Sequence, residues 1–149
     1  MKKKYIFPTI LIFVLTIIDL LSKSLFTNKI FFENSLISIH FSKNFGSSFG
    51  IFSNVSFYSY FVTFLAIIVL ITLIYYKKTF FKNKYLTYTF IFMFSGILGN
   101  TIDRILFGYV RDFISLKHLF IFNLADFYIT LAFILYLIYE ASENKSLKS

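Results

Sequence analysis

Four aspartates, Asp19, Asp103, Asp112 and Asp126, stand in or beside long apolar runs, and the chain contains no other aspartate. A carboxylate in or at a bilayer costs a few kcal/mol or more, so each one needs a reason to be there. Asp112 and Asp126 lie where apolar runs meet water, in GYVRDFISL and FNLAD. Two close carboxylates cannot both ionise, so they share a proton. The ionised one takes a proton from water, and the protonated one donates to a scissile carbonyl. That chemistry hydrolyses an amide without a metal or a covalent intermediate. Topology permits the pairing, because Asp112 follows the third apolar run and Asp126 opens the fourth.

Each polar residue also has a structural explanation. Asn123 suits the N-cap of the fourth helix, with Asp126 at N3 near the positive end of the helix dipole, and capping alone would account for both. Asp112 has no such role to fill. It follows a Gly-containing turn among Val110, Phe113 and Ile114. On the third run Gly96, Asn100, Asp103 and Arg104 recur at spacings of four, three and one, which places them on one helical face. Such a stripe faces protein, water or substrate, and Asp103 with Arg104 fits a helix-joining ion pair as well as a functional role. Asp19 and Lys23 are spaced i, i+4 in the favourable order. An interfacial ion pair with Lys23 snorkelling accounts for them better than catalysis does.

The elements that must position these groups are membrane spans. Hydrophobic residues make up 58% of 149 residues and charged residues 15%, which excludes an ordinary soluble domain. The chain reads as one domain over residues 1–149, an all-α polytopic membrane protein with four transmembrane helices. These cover about Tyr5–Leu21, Phe57–Tyr76, Tyr85–Leu106 and Phe127–Tyr139. The first and fourth are short for a span of about 20 residues and must borrow flanking residues. The opening Lys2-Lys3-Lys4 and apolar run resemble a signal peptide. They lack an A-x-A-like cleavage site and continue into Asp19 and Lys23, as a retained helix does. Between helices 1 and 2, Ile37, Ile39 and Phe41 alternate with Ser38, His40 and Ser42, the period of a half-buried strand. The turn-rich segment Asn44–Gly50 follows. A small extracytoplasmic β-sheet beside the helix ends is expected here.

The net charge of +8 does not point to nucleic acid. Nine of fifteen basic residues sit at the N-terminus, in Lys77–Lys84 and in the tail, flanking apolar runs. That pattern places both termini in the cytoplasm and favours contact with anionic lipid. With no Cys, and with His40 and His118 lacking partners at ligand spacing, the sequence calls for no metal and no cofactor.

Five blocks in order resemble lipoprotein signal peptidase, also called signal peptidase II. They are Asp19–Lys23, Asn44–Phe49 (against N-x-G-A-x-F), Gly99–Arg104 (G-N-x-x-D-R), Gly108–Phe113 (G-x-V-x-D-F) and Phe122–Asp126 (F-N-x-A-D). The resemblance covers nearly the whole chain. It implies a monomeric aspartic endopeptidase of the bacterial cytoplasmic membrane. Its substrates would be prolipoproteins, cut just before the cysteine that carries diacylglycerol. By position, Asp112 and Asp126 match the catalytic pair. Asn44, Gly46, Asn100, Asp103, Arg104 and Asn123 match supporting positions, and Asp19 and Lys23 match the first motif. Three departures bear on substrate preference. Arg111 stands at a commonly apolar position, where it reaches the lipid headgroups or shifts the titration of Asp112. Phe127 stands where a small residue is usual, and the stretch between the two aspartates is rather short. The rival reading is a small proton-coupled transporter with intramembrane Asp relays, which requires acids near mid-membrane on several helices.

Overall fold

Long apolar runs must satisfy their backbone internally when they leave water, so they become helices. The computed structural model describes residues 3–26, 32–46, 56–116 and 119–146. Its helices are α1 (Lys3–Leu25), α2 (Ser56–Phe80), α3 (Lys84–Phe107) and α4 (Leu124–Ser146). Among the described residues these four are long and apolar enough to cross a membrane. The end helices do borrow flanking residues. Each runs 23 residues, with α4 starting at Leu124 rather than Phe127 and ending at Ser146 rather than Tyr139.

The sheet is larger than the sequence pattern implies. Strands β1 (Phe32–Glu33) and β2 (Ile37–Asn44) come from the segment between α1 and α2. Strands β3 (Val110–Leu116) and β4 (Phe120–Phe122) come from the segment between α3 and α4. All pair antiparallel in the order β1-β2-β3-β4. Sequence pattern misses β3 because Val110, Arg111, Asp112 and Phe113 are all buried, so no alternation shows. The alternation in β2 predicts Ile37 inside, yet the structure exposes Ile37 and buries Ser38. Ser38 pairs across with Ser115, its hydroxyl meets His40 Nδ1 at 3.0 Å, and the ladder slips between Ile39 and Ser42. The turn segment beyond Gly46, including Ser47, Ser48 and Phe49, lies outside the described residues, as do Lys29, Lys117 and His118.

Helix α3 is the central element, packing against α1, α2 and α4. Its N-cap Asn83 accepts the Tyr85 N–H at 2.8 Å. Its last turn closes on Gly108, left-handed at φ 79°, whose N–H returns to the Arg104 carbonyl at 2.9 Å. Ser59 of α2 donates to the Gly108 carbonyl at 2.6 Å. Helix therefore becomes strand within two residues, and Asp112 is carried back beside the end of α3. At the other end, Tyr5 packs edge-on against Phe81 of the α2–α3 turn at 5.2 Å. The start of α1, the Lys77–Lys84 turn and the end of α4 thus lie opposite the sheet.

Two glycines let the helices close on α3. A Cβ at Gly99 would fall on the Asp19 carboxylate of α1, and one at Gly96 would fall on the Ala125 carbonyl of α4. Small residues at such contacts are how helices approach closely in lipid. Gly99→Ala is expected to lower stability by about 1–3 kcal/mol, as overpacking does. Thermal melting in detergent tests this, with exposed Thr72→Ala as the neutral reference. An unchanged melting temperature for Gly99→Ala contradicts the close approach.

Candidate active site

The first turn of α4 organises the site. The Asn123 side chain caps it, Oδ1 accepting the Asp126 N–H at 3.0 Å, while Asp126 Oδ2 accepts the Asn123 N–H at 3.2 Å. This reciprocal pair is a capping box, so the capping explanation for Asp126 is present in the structure. It does not use up the carboxylate, because Asp126 Oδ1 also accepts from Asn100 Nδ2 at 2.8 Å. The neighbouring helix N–H, from Ala125, is taken by Asp19 Oδ1 of α1 at 2.9 Å.

Asn123 joins the two acids. Its Nδ2 donates to Asp112 Oδ1 at 2.6 Å and to Asn100 Oδ1 at 3.2 Å. The second oxygen of Asp112 accepts from Asn44 Nδ2 at 2.9 Å. Asn44 is itself held by a turn in which its Oδ1 accepts the Gly46 N–H at 2.8 Å, with Gly46 at φ 115°. Ladder pairing of Ser42 with Asp112 and of Asn44 with Val110 sets this reach. Five elements (α1, β2, α3, β3 and α4) thus converge on one polar cluster at the sheet end.

The cations behind it differ from the sequence expectation. Lys23 does not snorkel. It is 1% exposed, and its Nζ bonds Asp19 Oδ2 at 2.7 Å and Asn100 Oδ1 at 2.9 Å. It stays inside because two of its donors find buried acceptors and a second carboxylate, Asp103, stands 3.6 Å away. Asp103 does not pair with Arg104. Adjacent helix residues diverge around the axis, and Asp103 is instead gripped by Arg111 Nη2 at 2.8 Å. Arg111 therefore reaches no headgroup. Sequence reasoning flagged it only as a departure, and the signal that could have paired it was an unmatched buried Asp103 just upstream. Arg104 lies in the field of Asp126, Asp112 and Asp103. Its Nε is buried without a hydrogen-bond partner among the described residues. Phe127 is half exposed and lines a cavity of about 370 Å³ with Leu116, Phe120, Phe122, Asp126 and Thr130.

Electrostatics separates the roles open to the two acids. Burial, then the nearby charge of Asp126, pushes the Asp112 carboxyl up from 3.8 to about 7, against the opposing hydrogen bonds from Asn44 and Asn123. Asp112 is thus poised to hold a proton near neutrality, while the Asp126 carboxylate accepts from Asn100 and from the Asn123 N–H.

A search of family models matches residues 11–141 to Peptidase A8, signal peptidase (SPase) II. The lipoprotein signal peptidase of Buchnera aphidicola subsp. Schizaphis graminum is 37% identical, over 91% of this chain and 94% of that protein. The lipoprotein signal peptidase of Clostridium tetani is 34% identical, over 72% and 70%. Two solved structures, each described as a bacterial membrane enzyme determined by the in meso method, share the fold. One has a TM-score of 0.79 at 28% identity, covering 93% of this chain and 90% of that one. The other has a TM-score of 0.72 at 30% identity, covering 88% and 90%. The class is therefore a multi-span membrane protease. The chain belongs to the signal peptidase II family.

The raised Asp112 carboxyl has a consequence for stability. The folded state keeps a proton that the unfolded chain releases near pH 4. Asp112 therefore contributes stability that is full below that pH and is lost as pH rises through about 7. The melting temperature of Asp112→Asn minus that of the parent should rise from about pH 5 to about pH 8. A difference that stays flat over that range contradicts the raised carboxyl.

Proposed function

We propose that this protein is a membrane aspartic endopeptidase that removes signal peptides from bacterial prolipoproteins, with Asp112 and Asp126 as its catalytic pair. The cut falls just before the diacylglyceryl-modified cysteine. The observation that carries this reading is the single Asn123 amide, which bonds Asp112 and caps the helix turn holding Asp126. Ionised Asp126 takes a proton from water as the water attacks the scissile carbonyl. Protonated Asp112 gives its proton to the carbonyl oxygen. As the tetrahedral species collapses, Asp126 passes its proton to the leaving amine and Asp112 recovers its own. Each acid thus ends as it began.

Charge balance supports one shared proton. Asp19, Asp103, Asp112 and Asp126 face Lys23, Arg104 and Arg111, so one proton on the pair leaves the cluster neutral in a low-dielectric setting. Asn44, Asn100 and Asn123 orient the acids, and Gly46 shapes the turn behind Asn44. Asp19 and Lys23 fix α1 to the start of α4. Asp103 anchors β3, and Arg104 offers a guanidinium N–H to a substrate carbonyl. The apolar cavity beside Asp126 suits a lipid-modified substrate, since each buried CH₂ is worth about 0.8 kcal/mol.

Lysine placement supports cytoplasmic termini and a sheet on the outer side, where exported precursors arrive. The four spans and the sheet then act as one membrane-embedded unit, a monomer surrounded by lipid. No observation favours the transporter reading, because all four aspartates lie at the sheet end rather than along the bundle.

The test is cleavage of a diacylglyceryl-modified precursor in detergent, read by gel shift. Asp112→Asn and Asp126→Asn should each lower turnover by about 10²–10⁴-fold in folded protein. If Asp126 serves only as a cap, Asp126→Asn costs roughly 1 kcal/mol or less of stability and leaves turnover intact. That result overturns the pair.

A further inference from the structure

The chemistry above does not use Arg111. It is 8% exposed, buried against α1 and α3. Nη2 and Nε grip Asp103 Oδ1 at 2.8 and 3.2 Å, and Nε also lies 3.3 Å from Oδ2. Nη1 donates to Ser24 Oγ of α1 at 3.1 Å. The guanidinium carbon sits 4.5 Å from the centre of the Phe107 ring, and the Arg111 N–H returns to Asp103 Oδ2 at 2.9 Å.

Lys23, Arg104 and Arg111 stand near Asp103, and only Arg111 hydrogen-bonds it. Lys23 Nζ lies 3.6 Å from Asp103 Oδ2, beyond hydrogen-bond range. With Asp103 satisfied, the Lys23 ammonium is left for Asp19 and for Asn100 Oδ1. Asn100 Oδ1 is then held by two donors, Lys23 and Asn123. The Asn100 amide cannot turn over without aiming its own N–H groups at an ammonium and an amide. Its Nδ2 is therefore committed to Asp126.

We propose that Arg111 is a positioning residue: by taking up the charge of Asp103 it leaves Lys23 to lock the Asn100 amide as a donor to Asp126. This inference rests on the pair reading above. The charged and titratable groups facing the cluster are Asp19 and Lys23 from α1, Tyr58 from α2, Asp103 and Arg104 from α3, Arg111 and Asp112 from β3, and Asp126 and Tyr128 from α4. Without Arg111, Asp103 is a buried charge whose nearest cation is Lys23. Lys23 moves to it, the Asn100 oxygen is released, and the donor to Asp126 is lost. The pair then holds its negative charge less well, and its lower apparent pKa rises.

The experiment is the pH–rate profile of the full-length protein in detergent on diacylglyceryl-modified precursor. The variants are Arg111→Met, Arg111→Lys and the double Asp103→Asn/Arg111→Met, each with a melting curve. Activity fails on the acid side when the base is protonated. Arg111→Met should therefore move the acid limb up by roughly one pH unit, a roughly tenfold lower rate at fixed pH on that limb. The loss should fall on kcat rather than KM. Arg111→Lys keeps the charge without the two-pronged grip and should shift the limb part of the way. The double variant removes the competition for Lys23 and should return the limb toward that of the parent. An acid limb that stays in place while rate and melting temperature fall together overturns the proposal, as does a double variant no better than Arg111→Met. If Arg111→Met does not fold, an unmoved limb in Arg111→Lys overturns it equally. Asp126→Asn assayed alongside keeps the two readings apart. An active Asp126→Asn removes the pair and the role of Arg111 with it. An inactive one beside an unmoved limb removes only the role of Arg111.

Discussion

The Asn123 carboxamide is the interaction on which the sheet end of this protein depends. It is fully buried and has two donors and one acceptor oxygen to place. The oxygen caps α4, and the two N–H groups reach Asp112 on β3 and Asn100 on α3. A helix start, a strand and a neighbouring helix are thereby brought to one point. No arrangement that leaves one of these bonds unmade is cheap, because a buried polar group without a partner costs its full desolvation. The same amide that ends a strand connection and begins a helix also holds two acids in one site.

Charge compensation explains the rest of the cluster. Buried ions are tolerated when paired and hydrogen-bonded, and here each carboxylate has at least two donors. Asp19 takes the Ala125 N–H and the Lys23 ammonium, while Asp103 takes the Arg111 side chain and its N–H. The glycines at 96 and 99 belong to the same requirement. Without the close approach they allow, Asp19 could not reach across from α1 to the start of α4. The network also joins fold to chemistry, since the bonds that close the bundle set the orientation of each amide around Asp112 and Asp126.

Much of this was legible in sequence, for physical reasons that differ by element. The four spans follow from apolar runs of sufficient length, and the Asn123–Asp126 cap follows from residue type and spacing. The cap already marked a helix start at Leu124, but the apolar run begins only at Phe127, so the span read from hydropathy was too short at that end. Strand β3 was invisible because it is buried on both faces, which erases the period of two. The fates of Lys23 and Arg111 depend on contacts across the chain, 77 residues for Lys23 with Asn100 and 87 for Arg111 with Ser24. Local spacing suggested a neighbour for Asp103, and the tertiary structure supplied a different one. Capping and catalysis were set as alternatives for Asp126, yet its two oxygens allow both at once.

The central claim is that Asp112 and Asp126 hold one proton between them and that Asp112 carries it. Infrared difference spectroscopy near neutral pH reads this directly, because a protonated carboxylic acid has a carbonyl stretch that a carboxylate lacks. Parent protein minus Asp112→Asn should show that band, shifted by deuterium exchange, and parent minus Asp126→Asn should show loss of a carboxylate instead. A spectrum with both groups ionised, or with the acid band assigned to Asp126, contradicts the account.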